Sequence, residues 1–294
     1  VMHKSSFINI IGNPNVGKSS LTNYLLGQKL SIITSKAQTT RHRILALIND
    51  ENYQLVISDT PGVIKPAHKL HKSMMDFVLP ATEDADILIY MVEYKDHNLK
   101  DESIFNKIVN IKVPLLLIIN KIDLLDQEKL ESEIDFWKVK VPNAEIWPIS
   151  VKESFNIVKL LDRLVELSPE SPPYFPKDQL TDKNERFFVN EIIREKILLN
   201  FKKEIPYSVE VITEDFKEEQ TIIKIRSIII VERDSQKGII IGHRGAAIKN
   251  VGTKARIDLE SFFNKKIFLD LQVKVKKNWR SDEKLLKKFG YHQK

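Results

Sequence analysis

An apolar run, Phe7-Ile8-Asn9-Ile10-Ile11, stops at Gly12 and gives way to Gly12-Asn13-Pro14-Asn15-Val16-Gly17-Lys18-Ser19, after which residues 19–26 read as a helix. This G-x-x-x-x-G-K-[ST] pattern, set between a strand and a helix, constrains the fold more than any other feature of the chain. A loop with glycine at each end can wrap its backbone N–H groups around phosphate oxygens. The helix that follows adds the positive end of its dipole. Lys18 supplies a point charge to β- and γ-phosphates, and the Ser19 hydroxyl, followed by Ser20, is a ligand for Mg²⁺.

Further aliphatic runs at 54–58, 86–92, 113–119 and 146–149 alternate with helical stretches near 70–79, 101–110, 127–137 and 154–167. Continuous aliphatic strands separated by helices predict a mainly parallel sheet covered on both faces, an α/β domain over residues 1–168. In such sheets ligands sit beyond the carboxyl ends of the strands. Residues 169–183 are Pro-rich at their start and read as a semi-rigid linker. Residues 184–294 follow another order: a helix at 184–199, strands at 208–216 and 221–232, helices at 235–241 and 246–263, and a strand at 266–275 before a basic helical tail. That α-β-β-α-α-β order predicts a separate α+β domain.

The chain has no cysteine, which excludes a disulfide framework, a Cys nucleophile and an iron–sulfur cluster and fits a reducing cytoplasm. No run approaches the roughly 18 apolar residues of a membrane span, and residues 1–6 carry no apolar core behind a basic end, so no signal peptide is expected. The net charge of +6 is uneven. Residues 181–294 hold 25 Lys/Arg against 17 Asp/Glu, whereas the first 180 hold 21 against 23. A basic C-terminal third points to a polyanion, either nucleic acid or an acidic membrane surface.

Two more motifs stand at strand ends. In Asp59-Thr60-Pro61-Gly62 the carboxylate can hold Mg²⁺ through water, and the Gly62 N–H can meet a γ-phosphate. In Asn120-Lys121-Ile122-Asp123 the carboxylate can accept both N–H bonds of a guanine edge. Adenine would leave that acceptor unpaired, so it is rejected. With these residues in this order, the chain resembles the translation-factor-related GTPases. The resemblance implies a P-loop GTPase fold, GTP and GDP as ligands, and Mg²⁺ held by Ser19, Thr40 and, through water, Asp59. Thr39-Thr40-Arg41 then matches the first switch, and Ser150-Val151-Lys152 the fifth, base-contacting element with Val in place of the usual Ala. Val63 stands where many GTPases carry a water-orienting Gln. The resemblance therefore implies the subgroup in which an apolar residue occupies this place and intrinsic hydrolysis is slow; some members of it recruit K⁺ through an Asn of the phosphate loop, and Asn15 stands at the matching place. Lys18, Thr40, Gly62 and Asn15 are the implied catalytic set, with Arg41 either a cationic helper or a solvated switch residue.

In the C-terminal third, Ile241-Gly242-His243-Arg244-Gly245 precedes a helix with Ile248 and Lys249 in its first turn. Two glycines let backbone approach a nucleic acid strand, His243 and Arg244 face its phosphates, and flanking aliphatics offer a groove for unstacked bases. This resembles a prokaryotic-type (type II) KH domain, which clamps single-stranded RNA. Lys274, Lys276, Lys277 and Arg280 extend the electrostatic footprint. His68 and His71 read as exposed helix positions, Trp137, Trp147 and Trp279 as packing residues, and Phe262-Phe263 as core. A GTPase domain joined to such a KH domain resembles the bacterial ribosome-assembly GTPases. Gln38-Thr39-Thr40-Arg41-His42-Arg43 and Asp178-Gln179-Leu180-Thr181-Asp182 also look like that family. The resemblance implies a monomeric cytoplasmic switch that binds the 3′ end of 16S ribosomal RNA and the precursor of the 30S subunit. Two alternatives stay open: a switch bound peripherally to the inner face of the cell membrane, with secondary RNA binding, and a constitutive RNA binder with a structural nucleotide site.

Overall fold

The computed structural model describes residues 2–291, so Val1 and the last three residues of the expected basic tail, 292–294, lie outside the described residues. The first unit runs β1 (Lys4–Ile11), α1 (Lys18–Leu26), β2 (Ile44–Asn49), β3 (Tyr53–Asp59), α2 (Lys69–Val78), β4 (Ile87–Glu93), α3 (Glu102–Val109), β5 (Leu115–Asn120), α4 (Gln127–Lys140), β6 (Glu145–Pro148) and α5 (Ile157–Leu167). Its strands form one sheet in the order β2-β3-β1-β4-β5-β6, with only β2 antiparallel to its neighbour. Every residue of β5 is buried, as a strand covered on both faces requires. The expectation of a mainly parallel sheet therefore holds. The β2 strand is missing from the sequence reading. Its run Ile-Leu-Ala-Leu-Ile-Asn directly follows the first-switch motif, with no turn residue to set it apart.

The second unit runs α6 (Glu185–Asn200), α7 (Ile205–Ser208), β7 (Glu210–Glu218), β8 (Ile222–Val231), α8 (Asp234–Ile241), α9 (Ala246–Phe263), β9 (Lys266–Val275) and α10 (Glu283–Lys288). Its sheet has the order β7-β8-β9, antiparallel then parallel. Among the described residues no helix is long and apolar enough to cross a membrane.

The proline-rich segment is a strap lying on the first sheet. Ser5 N at the start of β1 donates to Pro169 O (3.1 Å), and further along Leu47 N donates to Leu180 O (2.9 Å), where the strap covers the free edge of β2. The Gln54 side chain accepts from Tyr174 N and Phe175 N and donates to Phe175 O, while Tyr174 stacks on Phe7 at 4.9 Å. Prolines remove donors that the strap does not need on its outer side.

The two units share a core. Ile228 and Ile230 of β8, with Trp279, Leu286 and Tyr291 of the C-terminal segment, pack in one cluster with Val63, Leu70, Met74 and Phe77 around α2. Trp279 is fully buried and its Nε1 donates to Ser208 O (2.9 Å). His42 stacks on Tyr291 at 4.3 Å. Burial pushes the His42 pKa from 6.5 down to about 3, with Arg194, Lys183 and Arg41 adding repulsion against a Phe289 carbonyl that opposes it. His42 is therefore neutral in the closed interface, whereas an exposed His42 would protonate near pH 6.5. The stability this contributes is complete above about pH 6.5 and falls toward pH 3, at up to about 1.4 kcal/mol per pH unit. Thermal unfolding followed from pH 7.5 to pH 5 should show a steep acid loss that His42→Phe flattens. An unchanged slope in the variant would assign the loss to other groups.

Candidate functional site

At the carboxyl end of β1 the chain turns through Gly12–Ser19 into α1. Gly17 has φ 109°, and a Cβ there would stand 2.2 Å from Asn120 Nδ2, so glycine alone is tolerated. No side chain caps α1, which leaves its first N–H groups available to an anion. Lys18 Nζ donates to Gly12 O (3.1 Å) and Asn13 O (2.8 Å). Burial lowers its pKa to about 8, against the pull of Asp59 and Asp96. A cleft of about 770 Å³ opens beside the loop, bounded by Asn15, Lys18, Ser19, Thr40, Asp123 and Lys152 among others. That is the size of a small-ligand site. Pro14, Gly17, Ser20, Thr60, Gly62, Asn120, Lys121 and Val151 line it as well.

Six expected residues do not line the cleft. Val16 is core, and Asn13 turns away to donate to Asp96 Oδ1 (2.6 Å) and Asn98 O (2.9 Å). Gly12, Asp59, Pro61 and Ser150 lie behind its wall. Conversely, Ile32, Ile33, Thr34 and Ser35 line it with no motif to announce them, and Gln38 and Thr39 line it from the first-switch run.

Ser19 Oγ and Thr40 Oγ1 stand 2.9 Å apart. Close by, Asp59 is fully buried, and neither carboxylate oxygen has a hydrogen-bond partner. Burial raises its pKa, opposed by the nearby Ser31 and Ser19 hydroxyls and by Lys18. Two hydroxyls and an orphaned carboxylate make an all-oxygen donor set that suits a hard divalent cation, whose charge would offset the carboxylate's desolvation.

At the other end of the cleft, Ser150 Oγ donates to Asp123 Oδ1 (2.6 Å) and holds that carboxyl below the usual range, aided by Lys152 Nζ at 3.8 Å. Asp123 is thus ionised and pre-oriented to accept two N–H donors. Asn120 Nδ2 donates to Val16 O (2.8 Å) and Lys121 Nζ to Asn15 O (2.8 Å), so both side chains brace the phosphate loop. Asn15 Nδ2 donates to Ser35 O (2.9 Å), joining that loop to the first-switch segment. Val63 is wholly buried and offers nothing to a water in the cleft.

The first-switch segment is held by the second unit. Arg41, with no exposed surface, donates to Val209 O (2.7 Å), Glu210 Oε2 (3.3 Å), Pro206 O (3.3 Å) and Tyr207 O (3.4 Å). It is neither a solvated residue nor aimed at the cleft. Tyr291 OH donates to the same Glu210 Oε2 (2.5 Å). Arg194, paired with Glu191, donates to Gln38 O (3.4 Å) and to Thr39 O, and Lys36 Nζ donates to Leu198 O and Phe201 O. The segment's short polar sequence carried no sign of these contacts. His68 and His71 also differ from expectation. They are half-buried, with rings 3.8 Å apart at the start of α2. His68 caps that helix by accepting from His71 N (3.4 Å). Burial first, then the neighbouring cations, lowers both to about 4.

In the second unit, Gly242 (φ 71°) and Gly245 (φ 78°) flank the exposed His243 and Arg244. A Cβ on Gly242 would stand 2.6 Å from Ala247 Cβ. Next to this turn a groove of about 290 Å³ runs between α9 and β9. Ile248, Lys249, Gly252, Thr253 and Arg256 line one wall at helical spacing, and Leu269 and Leu271 the other at strand spacing. The sequence points to Ile248 for the groove and to Lys249 for the basic footprint, but not to Gly252, Thr253, Leu269 and Leu271 as groove walls; period-2 reading of β9 finds the last two. Ile241 is half-buried at the end of α8. Lys276 and Lys277 are exposed, but Lys274 lies 3.7 Å from Glu214, and Arg280 is half-buried and paired with Glu232. Trp137 and Trp279 are fully buried, as expected, whereas Phe262 is 39% exposed against Phe188.

Residues 7–121 match the family model described as 50S ribosome-binding GTPase, and residues 204–280 match the KH domain model. GTPase Era of Syntrophus aciditrophicus (strain SB) is 45% identical over 296 residues, which span 100% of this chain and 97% of that protein. The crystal structure of Era in complex with MgGDPNP and nucleotides 1506–1542 of 16S ribosomal RNA aligns with a TM-score of 0.93 at 35% identity, over 99% of this chain and 100% of that one. A variant of Aquifex aeolicus Era bound to GDP and AlF4⁻ aligns with the same TM-score, identity and coverage. Identity across both domains, with the phosphate loop, guanine motif and G-x-x-G turn each in its expected place, makes this chain a member of the Era family of GTPases.

Proposed function

We propose that this chain is a GTP-gated clamp for the 3′ end of 16S ribosomal RNA that assists maturation of the small ribosomal subunit in the cytoplasm. The observation that carries the reading is the capture of residues 36–42 by the second unit. Thr40, whose hydroxyl meets that of Ser19, is chain neighbour to Arg41, which is buried among carbonyls of the KH domain. A change at the γ-phosphate end of the cleft cannot move Thr40 without disturbing Arg41, and so it biases how the KH domain sits. By reciprocity, RNA on the KH domain biases nucleotide affinity by the same factor.

In this reading Lys18 releases its two loop carbonyls to meet β- and γ-phosphates, and the first N–H groups of α1 complete the cradle. Asp123 and the loop at Ser150-Val151-Lys152 select guanine. Ser19, Thr40 and, through water, Asp59 would hold Mg²⁺, and Asn15 would hold K⁺; the charge these cations would supply there offsets that of the phosphate oxygens. The Gly62 N–H orients the γ-phosphate, while the buried Val63 leaves intrinsic hydrolysis slow. His243, Arg244 and Lys249 take RNA phosphates, and the groove beside Ile248, Leu269 and Leu271 takes unstacked bases. Lys276 and Lys277 extend the footprint. Arg280 and Lys274 would first have to leave Glu232 and Glu214, and the same engagement weighs against the tail as a membrane anchor.

Affinity for a short RNA copying the 3′ tail of 16S ribosomal RNA, measured at fixed salt against a scrambled sequence, tests the clamp. The true sequence should bind at least about fivefold tighter with a non-hydrolysable GTP analogue than with GDP. Arg41→Ala should erase that difference, and Gly242→Ala should abolish RNA binding while sparing GTP. Equal binding in both nucleotide states would reduce the KH domain to an electrostatic holder.

Hydrolysis without RNA should be at least about tenfold faster in K⁺ than in Na⁺, since a cation at Asn15 replaces an arginine finger. Asn15→Ala should remove the preference. Equal rates in the two salts would dismiss the monovalent site.

A further inference from the structure

Besides Arg41, a second cation of the first-switch segment enters the second unit. Lys36 is half-buried and reaches the C-terminal end of α6, where its Nζ donates to Leu198 O and to Phe201 O (2.6 Å). The last carbonyls of a helix lack partners within it, and the helix dipole puts partial negative charge there, so an ammonium suits that end as a cap. The last turn of α6 carries no basic side chain of its own. The backbone of Lys36 is held in turn. Its N–H donates to Thr34 Oγ1 (3.1 Å), its carbonyl accepts from Thr39 Oγ1 (2.6 Å), and the carbonyl of the preceding Ser35 accepts from Asn15 Nδ2 (2.9 Å). Thr34, Ser35 and Thr39 line the nucleotide cleft, so where Lys36 can reach depends on how this segment lies against that cleft.

The end of α6 that Lys36 caps also holds one wall of the groove in the second unit. Asn200 lies in sequence between the two capped carbonyls. Its Nδ2 donates to Lys196 O (2.6 Å), and its Oδ1 accepts from Asn250 Nδ2 (3.2 Å) and Lys254 Nζ (2.7 Å), both on α9. Asn250 and Lys254 are chain neighbours of Lys249 and Thr253, which line the groove. We infer that Lys36 is a positioning residue for that groove: it caps α6 from the first switch and, through Asn200, sets where the α9 wall stands. The inference rests on the clamp reading above and deepens it by naming the element that carries the coupling. Burial first, and then repulsion from Lys202, lowers the Lys36 pKa. The cap therefore holds only while the ordered segment presents Lys36 to it. When the segment lets go, the two carbonyls return to water and Asn200 loses its fixed seat. Another tie to α6 works differently. Lys29 Nζ lies 2.9 Å from Glu195, but Lys29 stands in the turn after α1 and does not line the cleft, so it joins the units without sensing the nucleotide.

The test is the affinity of the full chain for the same 3′-tail RNA, with a non-hydrolysable GTP analogue and with GDP, at fixed salt. Lys36→Met removes the cap and keeps an unbranched apolar stem. It should bring the two affinities within about twofold of each other, against a coupling of about fivefold or more in the native protein. Lys36→Arg can still donate to both carbonyls and should keep the native difference. Asn200→Ala should weaken binding in the GTP-analogue state as Lys36→Met does, and the double variant should bind no more weakly than either alone, as residues acting in series do. Lys29→Met removes a tie outside the cleft and should leave the native difference in place. Losses that add in the double variant, or a Lys29→Met that behaves like Lys36→Met, would make Lys36 one domain tether among several and overturn the inference. A native difference that survives Lys36→Met overturns it alone and leaves the clamp reading standing. Equal affinities in the native protein overturn the clamp reading and the inference with it.

Discussion

Arg41 is a guanidinium with no exposed surface; its Nε has no partner, and both of its terminal nitrogens find their partners outside its own domain. The carbonyls of Pro206, Tyr207 and Val209 and the carboxylate of Glu210 supply them, and Tyr291 bonds the same carboxylate. Removing either side would strand a buried charge, which costs several kcal/mol, so the contact is made fully or rebuilt elsewhere. That all-or-none character makes it a coupling element. The residue next to Arg41 is Thr40, whose hydroxyl belongs to the nucleotide cleft. His42, one residue further on, lies flat on Tyr291. Three consecutive residues therefore serve the cleft, the KH backbone and the C-terminal segment, and none can shift alone.

The two candidate phosphate cradles use the same physics. Gly17 and Gly245 each place a left-handed residue at a helix start that no side chain caps; the first N–H groups of α1 stay free, whereas at α9 the Ala246 N–H already donates to His243 O. The difference lies in what surrounds them. Around α1, Asn120 and Lys121 brace the loop from β5 and the adjoining turn, and the cleft is deep. Around α9 the glycine turn is exposed and opens into a shallow groove with aliphatic walls, which suits a chain of bases better than a single nucleotide.

Much of this was legible in one sequence because it rests on local chemistry. The phosphate loop needs glycines at fixed spacing, guanine selection needs a carboxylate after a strand, and β5 needs unbroken aliphatic residues. The G-x-x-G turn and the order of elements around it were equally plain. What escaped depends on what lies opposite in space. The β2 strand hid behind the adjoining switch motif. The strap at 169–182 looked like a linker because its partners, Gln54 and the edge of β2, are more than a hundred residues away. His68 and His71 looked exposed because the cations beside them come from other elements. Arg280 and Lys274 looked free because Glu232 and Glu214 are remote in sequence.

By itself, then, the sequence determined the two domains, the phosphate loop and guanine motif, and the glycine turn of the KH domain, since each is a short-range demand on backbone conformation or side-chain chemistry. Only the tertiary structure decided that Arg41 is spent on the domain interface, that Asp59 is buried without a partner, and that Gly252, Thr253, Leu269 and Leu271 wall the groove. Those facts are juxtapositions of distant segments, and a linear sequence carries no distance between residues that meet only after folding.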